Sequence, residues 1–414
     1  MDVVLPDGAS AVMEQLHRAG FEAYAVGGCV RDSLLGRVPE DWDITTDATP
    51  DQVKQIFQKT VDTGIEHGTV TVLFHGVGYE VTTYRIDGDY SDGRHPDEVI
   101  YTDNLTEDLR RRDFTINAMA YNQSRGLVDV FGGKQDLRDG IVRCVGRAAD
   151  RFQEDALRIL RAVRFCAQLG FSIEQKTGDA AKELAHTLSR ISAERIQAEL
   201  VKLLISQHPE QIGTAWALGI TQAVLPEIHE VSGLLKDGVR AVSNQKELRL
   251  AMLFWELPPN QVQIILRRLK FDNATCRIVF GLAKNRERDI EEHPYAVRRA
   301  VSEMGAELFE LLLCTWEARA KALAGASGGD GGGLLAHVNA LRAVYRTICE
   351  RGDCLSLRSL AVNGADLIAE GIAPGKELGE QLQWLLDLVL RHPERNSKQI
   401  LLEALRRRRQ ADLI

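Results

Sequence analysis

Near residue 148 the chain changes its period. Up to about residue 145 it alternates between helical and strand patterns; beyond Ala148 the β-branched alternation is gone and only helical periodicity remains, with Gly and Pro held mostly to junctions such as Pro209, Gly219 and Pro226. That break restricts the fold to class α+β, a small mixed α/β head followed by an all-helical neck, body and tail. The divisions expected from sequence are a head over 1–147, a neck over 148–207, a body over 208–324 and a tail over 334–414. The glycine-rich run 325–333 is read as a flexible joint and the clearest boundary. No fixed sequence period supports a tandem-repeat solenoid.

Within the head, helices are expected over 8–19 and 51–58, and strands over 23–26 and 41–45. Strands over 69–74 and 79–85 form a hairpin around His75-Gly76-Val77-Gly78. In Asp41-Trp42-Asp43, a strand would turn Asp41 and Asp43 to one side, where two carboxylates can meet one or two divalent ions. Upstream, Gly27-Gly28 follows the apolar Tyr24-Ala25-Val26 and would let backbone N–H groups approach phosphate oxygens, with Arg31 adding a forked cation. Glu80 shares a strand face with Thr82 and Tyr84 and is a candidate third carboxylate.

The net charge of −8 argues against indiscriminate nucleic-acid binding, although Arg110-Arg111-Arg112, the series Arg158, Arg161, Arg164, and Arg406-Arg407-Arg408-Arg409 concentrate positive charge locally. A hydrophobic share of 44% and a charged share of 27% are those of a globular protein. The first residues lack a basic and an apolar leader region, and no apolar run reaches the length of a membrane span; a cytoplasmic protein with no membrane partner is expected. Seven cysteines without a Cys-x-x-Cys indicate neither a disulfide framework nor a zinc site.

Taken together, the glycine pair with Arg31, the Asp41-Trp42-Asp43 run and three later motifs resemble the class II tRNA nucleotidyltransferases, the CCA-adding enzymes of the polymerase-beta-like superfamily. Those later motifs are Glu107-Asp108-Leu109-Arg110-Arg111-Arg112-Asp113-Phe114-Thr115-Ile116-Asn117, Glu154-Asp155-Ala156-Leu157-Arg158 and Ile191-Ser192-Ala193-Glu194-Arg195-Ile196. The resemblance covers roughly residues 20 to 205. It implies metal-dependent addition of CCA to the 3′ end of tRNA from CTP and ATP, with pyrophosphate released and two Mg2+ ions bridging Asp41 and Asp43. It places Gly28, Arg31 and Arg112 on the nucleotide, together with Asp155, Arg158, Arg161 and Arg164. The partners implied are the tRNA 3′ end and acceptor arm, and not DNA, with the tail binding tRNA. The loop Asp92-Gly93-Arg94 matches the family's flexible loop for the switch to A addition; His95 stands where the family's pattern often has a second arginine. An A-adding enzyme, a bacterial poly(A) polymerase and a catalytically inactive RNA-binding protein of this fold remain open as alternatives.

A helix through 154–165 would carry Asp155, Arg158, Arg161 and Arg164 as a slow spiral, drifting about 60° per step of three residues. Cytosine and adenine each offer an exocyclic amino group beside an unprotonated ring nitrogen; uracil and guanine place a carbonyl and a ring N–H there. One Asp/Arg pair can therefore accept the first two bases and leave the others with unpaired groups. The motif around Arg195, with Ser192 as N-cap, is expected to stabilise the neck.

Overall fold

A computed structural model describes residues 3–88, 98–326 and 331–411. The chain divides into two compact units, Met1–Val231 and Ser232–Ile414.

The first unit opens with helix α1 (Asp7–Arg18), which buries Val12, Met13 and Leu16 against the head sheet. Strand β1 (Ala23–Val26) is buried at every position and leads through Gly27 into α2 (Gly28–Leu34). Next come β2 (Asp43–Thr46), α3 (Pro50–Ile56), β3 (Thr60–Gly64), β4 (Thr69–Phe74) and β5 (Val77–Thr83). Thr49 and Gln52 close a capping box at the start of α3, with Pro50 already holding a helical φ. The hairpin between β4 and β5 is tighter than the sequence indicated. His75 and Gly76 both take positive φ, the signature of a two-residue turn whose twist suits the strands, so Val77 and Gly78 join the ladder.

After β5 the chain leaves the main sheet at Tyr84, and β6 (Arg85–Asp87) pairs with β7 (Val99–Tyr101) as a separate hairpin. The predicted loop residues Asp92, Gly93, Arg94 and His95 lie outside the described residues. Helix α4 (Leu105–Arg110) precedes β8 (Ala120–Asn122) and β9 (Gly126–Val128), completing a sheet of order β3-β4-β5-β2-β1-β8-β9. Strand β2 is thus central: antiparallel to β1, and parallel to β5 with Asp43 opposite Glu80.

Two expectations for the site segments are corrected. Strand β2 begins at Asp43, because neither β1 nor β5 offers a ladder partner to Asp41 or Trp42; Asp41 sits in the preceding loop, exposed. The single helix through 154–165 is two helices. Beyond α5 (Gly133–Asp139), α6 (Ala148–Glu154) ends at an extended Asp155 and α7 (Leu157–Leu169) begins anew, with the Asp155 carboxylate accepting from the Leu157 N–H at 3.0 Å. Helix α8 (Gln175–Leu184) follows, and α9 (Ala193–Leu204) packs along α7. Ser192 occupies the N-cap position of α9, but its side chain makes no capping hydrogen bond. The short helices Ile212–Ala217 and Ile220–Val224 pack on the 185–190 turn and on α7, so residues 208–231 belong to this unit and not with the body drawn from sequence.

The second unit is helical throughout its described residues. Its helices Ala306–Gly325 and Gly331–Arg351 lie against each other so closely that a Cβ at Gly331 would fall 2.2 Å from the Ala320 carbonyl oxygen. The glycine-rich run therefore joins two packed helices of one unit instead of separating two units. Near the end, Leu367, Leu385, Val389, Leu401 and Leu405 form a buried cluster. The final arginines are engaged: Arg406 grips Glu370, Arg407 pairs with Glu403, and Arg408 lies 4.6 Å from the Trp384 ring centre. Among the described residues no helix is long and apolar enough to cross a membrane. All seven thiols are free; Cys29, Cys144, Cys166 and Cys354 are buried.

Candidate nucleotide-binding site

The first unit holds a cavity of about 380 Å³ between the β1–α2 turn, the segment after α4, and helices α7 and α9. Its head side is made by the turn itself. Gly27 has φ +81°, and a Cβ there would lie 3.1 Å from Arg112 Nη1, so the missing side chain lets a guanidinium reach the backbone. Arg31 leaves the first turn of α2, donates from Nε and Nη2 to the two oxygens of Asp32 at 2.9 and 2.8 Å, and turns Nη1 to Asn117 Oδ1 at 2.7 Å. Asn117 in turn donates to Asp113 Oδ1 at 3.1 Å. From α7, Arg161 donates to Asp113 Oδ2 at 2.9 and 2.7 Å. Burial by itself would raise the Asp113 carboxyl, but Arg161 and Asn117 outweigh it and hold the group at about 2.

At the far wall, Asp155 accepts from Arg195 through both oxygens, at 3.2 and 2.6 Å. Arg158 bonds Glu154 and the carbonyls of Arg151 and Arg111. Phe165 lies between guanidiniums; those of Arg31, Arg161 and Arg164 stand 5.1, 5.5 and 3.8 Å from its ring centre. The cavity is thus framed by arginines, each held by an acceptor. A buried Arg112 Nε has no hydrogen-bond partner among the described residues, a donor that a ligand anion's oxygen would satisfy.

Of the residues singled out from sequence, the cavity lining includes Gly28, Arg31, Asp43, Arg112, Asp155, Arg158 and Arg161. Arg164 is absent from it: buried behind Phe165, it pairs with Glu199 and donates to Gln168 at 2.6 Å. Asp41 and Glu80 lie outside the lining, on the loop before β2 and on β5. Asp43 nonetheless feels both. Burial and then Glu80 push its carboxyl upward, Asp41 adds to the shift, and Arg112 opposes them. Among the described residues no three His, Cys, Asp or Glu side chains form a group that could hold a metal ion. The chemistry of the donors still fits a hard divalent cation: hard oxygens whose mutual repulsion a positive ion would relieve. Arg195 was assigned to the neck's stability, and the structure puts it in the cavity wall; 40 residues separate it from Asp155, and no local pattern marks that pairing.

A central strand that presents an aspartate to a guanidinium-framed cavity, walled in part by a glycine turn at a helix start, is an arrangement suited to a nucleotidyltransferase. Residues 23–143 match the poly A polymerase head domain, 170–231 the RNA and SrmB-binding site of polymerase A, and 243–405 domain 2 of tRNA nucleotidyltransferases. The CCA-adding enzyme of Lactobacillus delbrueckii subsp. bulgaricus is 39% identical over 411 residues, covering 96% of each chain; that of Ligilactobacillus salivarius is 36% identical over 414, covering 95% of each. The crystal structure of the Bacillus stearothermophilus CCA-adding enzyme in complex with CTP matches with a TM-score of 0.77, at 32% identity and over 99% of each chain. The chain belongs to the CCA-adding enzymes, a family of tRNA nucleotidyltransferases.

Proposed function

We propose that this cavity receives CTP and then ATP, and that the chain uses them to complete the 3′ end of tRNA with CCA, releasing pyrophosphate at each step. The observation that carries the reading is that one space of about 380 Å³ joins Arg31 and Arg112 on the head side to Asp155 and Arg158 on the neck side. Phosphates belong with the first pair and the base with the second. Gly28 admits the triphosphate to the backbone, Arg31 and Arg112 neutralise it, and Asn117 keeps Arg31 turned inward. Asp155 accepts from the exocyclic amino group shared by cytosine and adenine, and Arg158 donates to the neighbouring ring nitrogen. Arg161 acts through Asp113, and Arg164 through Phe165 and Glu199, as supports of the cavity wall.

Asp41, Asp43 and Glu80 are the residues that would hold Mg2+, which when bound supplies positive charge for the triphosphate and acidifies the attacking 3′ hydroxyl. Catalysis by the chain's own groups is then chiefly positioning of the terminal RNA hydroxyl against the α-phosphate. The head over 1–147 carries the chemistry, the neck over 148–207 reads the base, and the tail over 334–414 binds tRNA. Such a role places the chain in the cytoplasm.

The decisive experiment gives purified protein and magnesium to tRNAs ending at the discriminator base, at C and at CC, with CTP, ATP or both. Two C additions and a single A are expected. Addition of A alone, or of a long A tail, would replace the reading by an A-adding enzyme or a poly(A) polymerase; no incorporation would make the chain a non-catalytic binder.

Arg195 gives a sharper check. Arg195→Met keeps the aliphatic stem and removes both bonds to Asp155, so the preference for CTP over UTP should fall about tenfold in a competition assay. An unchanged preference with a lowered melting temperature would return Arg195 to the neck's stability alone.

A further inference from the structure

Asp108 is a fully buried carboxylate, 0% exposed, in the first turn of α4. Its Oδ1 accepts from Arg111 Nε and Nη2 at 2.9 and 2.8 Å. Its Oδ2 accepts from Arg112 Nη2 at 3.3 Å and from the Thr45 hydroxyl at 3.1 Å. A carboxylate offers about four acceptor positions, and all are used here. Thr45 stands on β2 two residues beyond Asp43, hence on the same strand face. Both arginines line the cavity, and Arg111 is flanked on another side by Asp87, 6% exposed, at 3.7 Å.

These contacts tie two cavity cations to the strand that carries the catalytic aspartate. We infer that Asp108 is a positioning residue for the triphosphate, fixing the Arg111 and Arg112 guanidiniums at a set distance from Asp43. The inference rests on the nucleotide-binding reading above. Asp108 touches no substrate; it removes the rotational freedom of two long side chains before the anion arrives, so that less ordering is left to the binding step. Burial by itself would raise its carboxyl, yet Arg111 and then Arg112 hold it below the usual range, so it stays charged at neutral pH.

Asp108→Asn in the full chain tests this. The amide keeps the volume, retains one acceptor oxygen and turns an NH2 group toward donors. Expected are a rise of about tenfold in KM for both CTP and ATP, with a smaller change in kcat, and an equal weakening of inhibition by inorganic tripolyphosphate. Inhibition by cytidine, which carries no phosphate, and the CTP-to-UTP preference should stay at wild-type values, because Asp108 grips the arginines assigned to the phosphates. Wild-type KM and tripolyphosphate inhibition in the variant would overturn the inference, as would equal weakening by cytidine, which would mark a general collapse of the site. If circular dichroism shows that Asp108→Asn does not fold, Thr45→Val decides in the same assays, with a shift of about threefold expected and no shift overturning the idea. Failure of the wild type to incorporate any nucleotide would instead overturn the nucleotide-binding reading itself.

Discussion

Asp43→Asn should lower single-turnover C addition by about three orders of magnitude while leaving the melting temperature unchanged or slightly raised. The two halves of that result come from one environment. Asp43 is partly buried at the start of β2, register partner of Glu80 and near Asp41, so its charge is held where burial and like charges oppose it. A carboxyl whose folded pKa is raised costs stability at neutral pH, because the unfolded chain ionises more readily. The neutral amide removes that cost together with the ligand that a divalent ion needs. Thermal unfolding and single-turnover transfer on the same preparation check both halves. Near-normal transfer would reject Asp43 as a metal ligand, and a falling melting temperature would assign the loss to folding.

The second large effect concerns choice of base. Asp155→Ala should reduce the preference for CTP over UTP by about 100-fold, with triphosphate binding retained. Asp155 lines the same cavity as Arg31 and Arg112, and its two oxygens are aimed by Arg195 and by the Leu157 N–H. Without it the cytosine amino group loses its acceptor, and the uracil carbonyl no longer faces a carboxylate. Parallel incorporation with CTP, UTP and tRNA ending at the discriminator base measures the ratio. A constant ratio with a uniform loss of rate would leave Asp155 as a brace for Arg195 and the α7 terminus.

The class of fold was legible because period is a local property: alternation builds strands such as Thr69–Phe74, and its disappearance after Ala148 leaves helices and one two-residue strand, Ser172–Ile173, too short for alternation to mark. The cavity residues were legible where a motif carries its own chemistry, as with Gly28 and Arg31, or where the family resemblance singled one out, as with Arg112. What was hidden depends on pairing at a distance. Asp41 falls outside β2 because strand limits are set by ladder partners and not by the alternation of the strand itself. The break at Asp155 comes from a side chain that captures the backbone N–H two residues on, an option open to aspartate that helical periodicity does not register. Arg195 and Asp108 gain their places from partners 40 and 63 residues away in sequence. The run 325–333 looked like a linker because glycine permits flexibility, yet Gly331 is used for close approach of two helices.

The buried pair of Asp113 and Arg161 also bears on the order in which the molecule is made. The head sheet is complete once β9 ends at Val128, and Asp113, 8% exposed in the finished chain, precedes that point. The cation that balances this carboxylate arrives only with α7, and the anchor of Asp155 only with Arg195. A chain emerging from the ribosome at about 5–20 residues per second presents these partners seconds after the strands. During that interval Asp113 has no Arg161 to balance it, a condition that favours hydrated, open surroundings for the carboxylate over closed ones. The cavity wall of the finished chain is therefore assembled only once α7 and α9 have been translated and have brought Arg161 to Asp113 and Arg195 to Asp155.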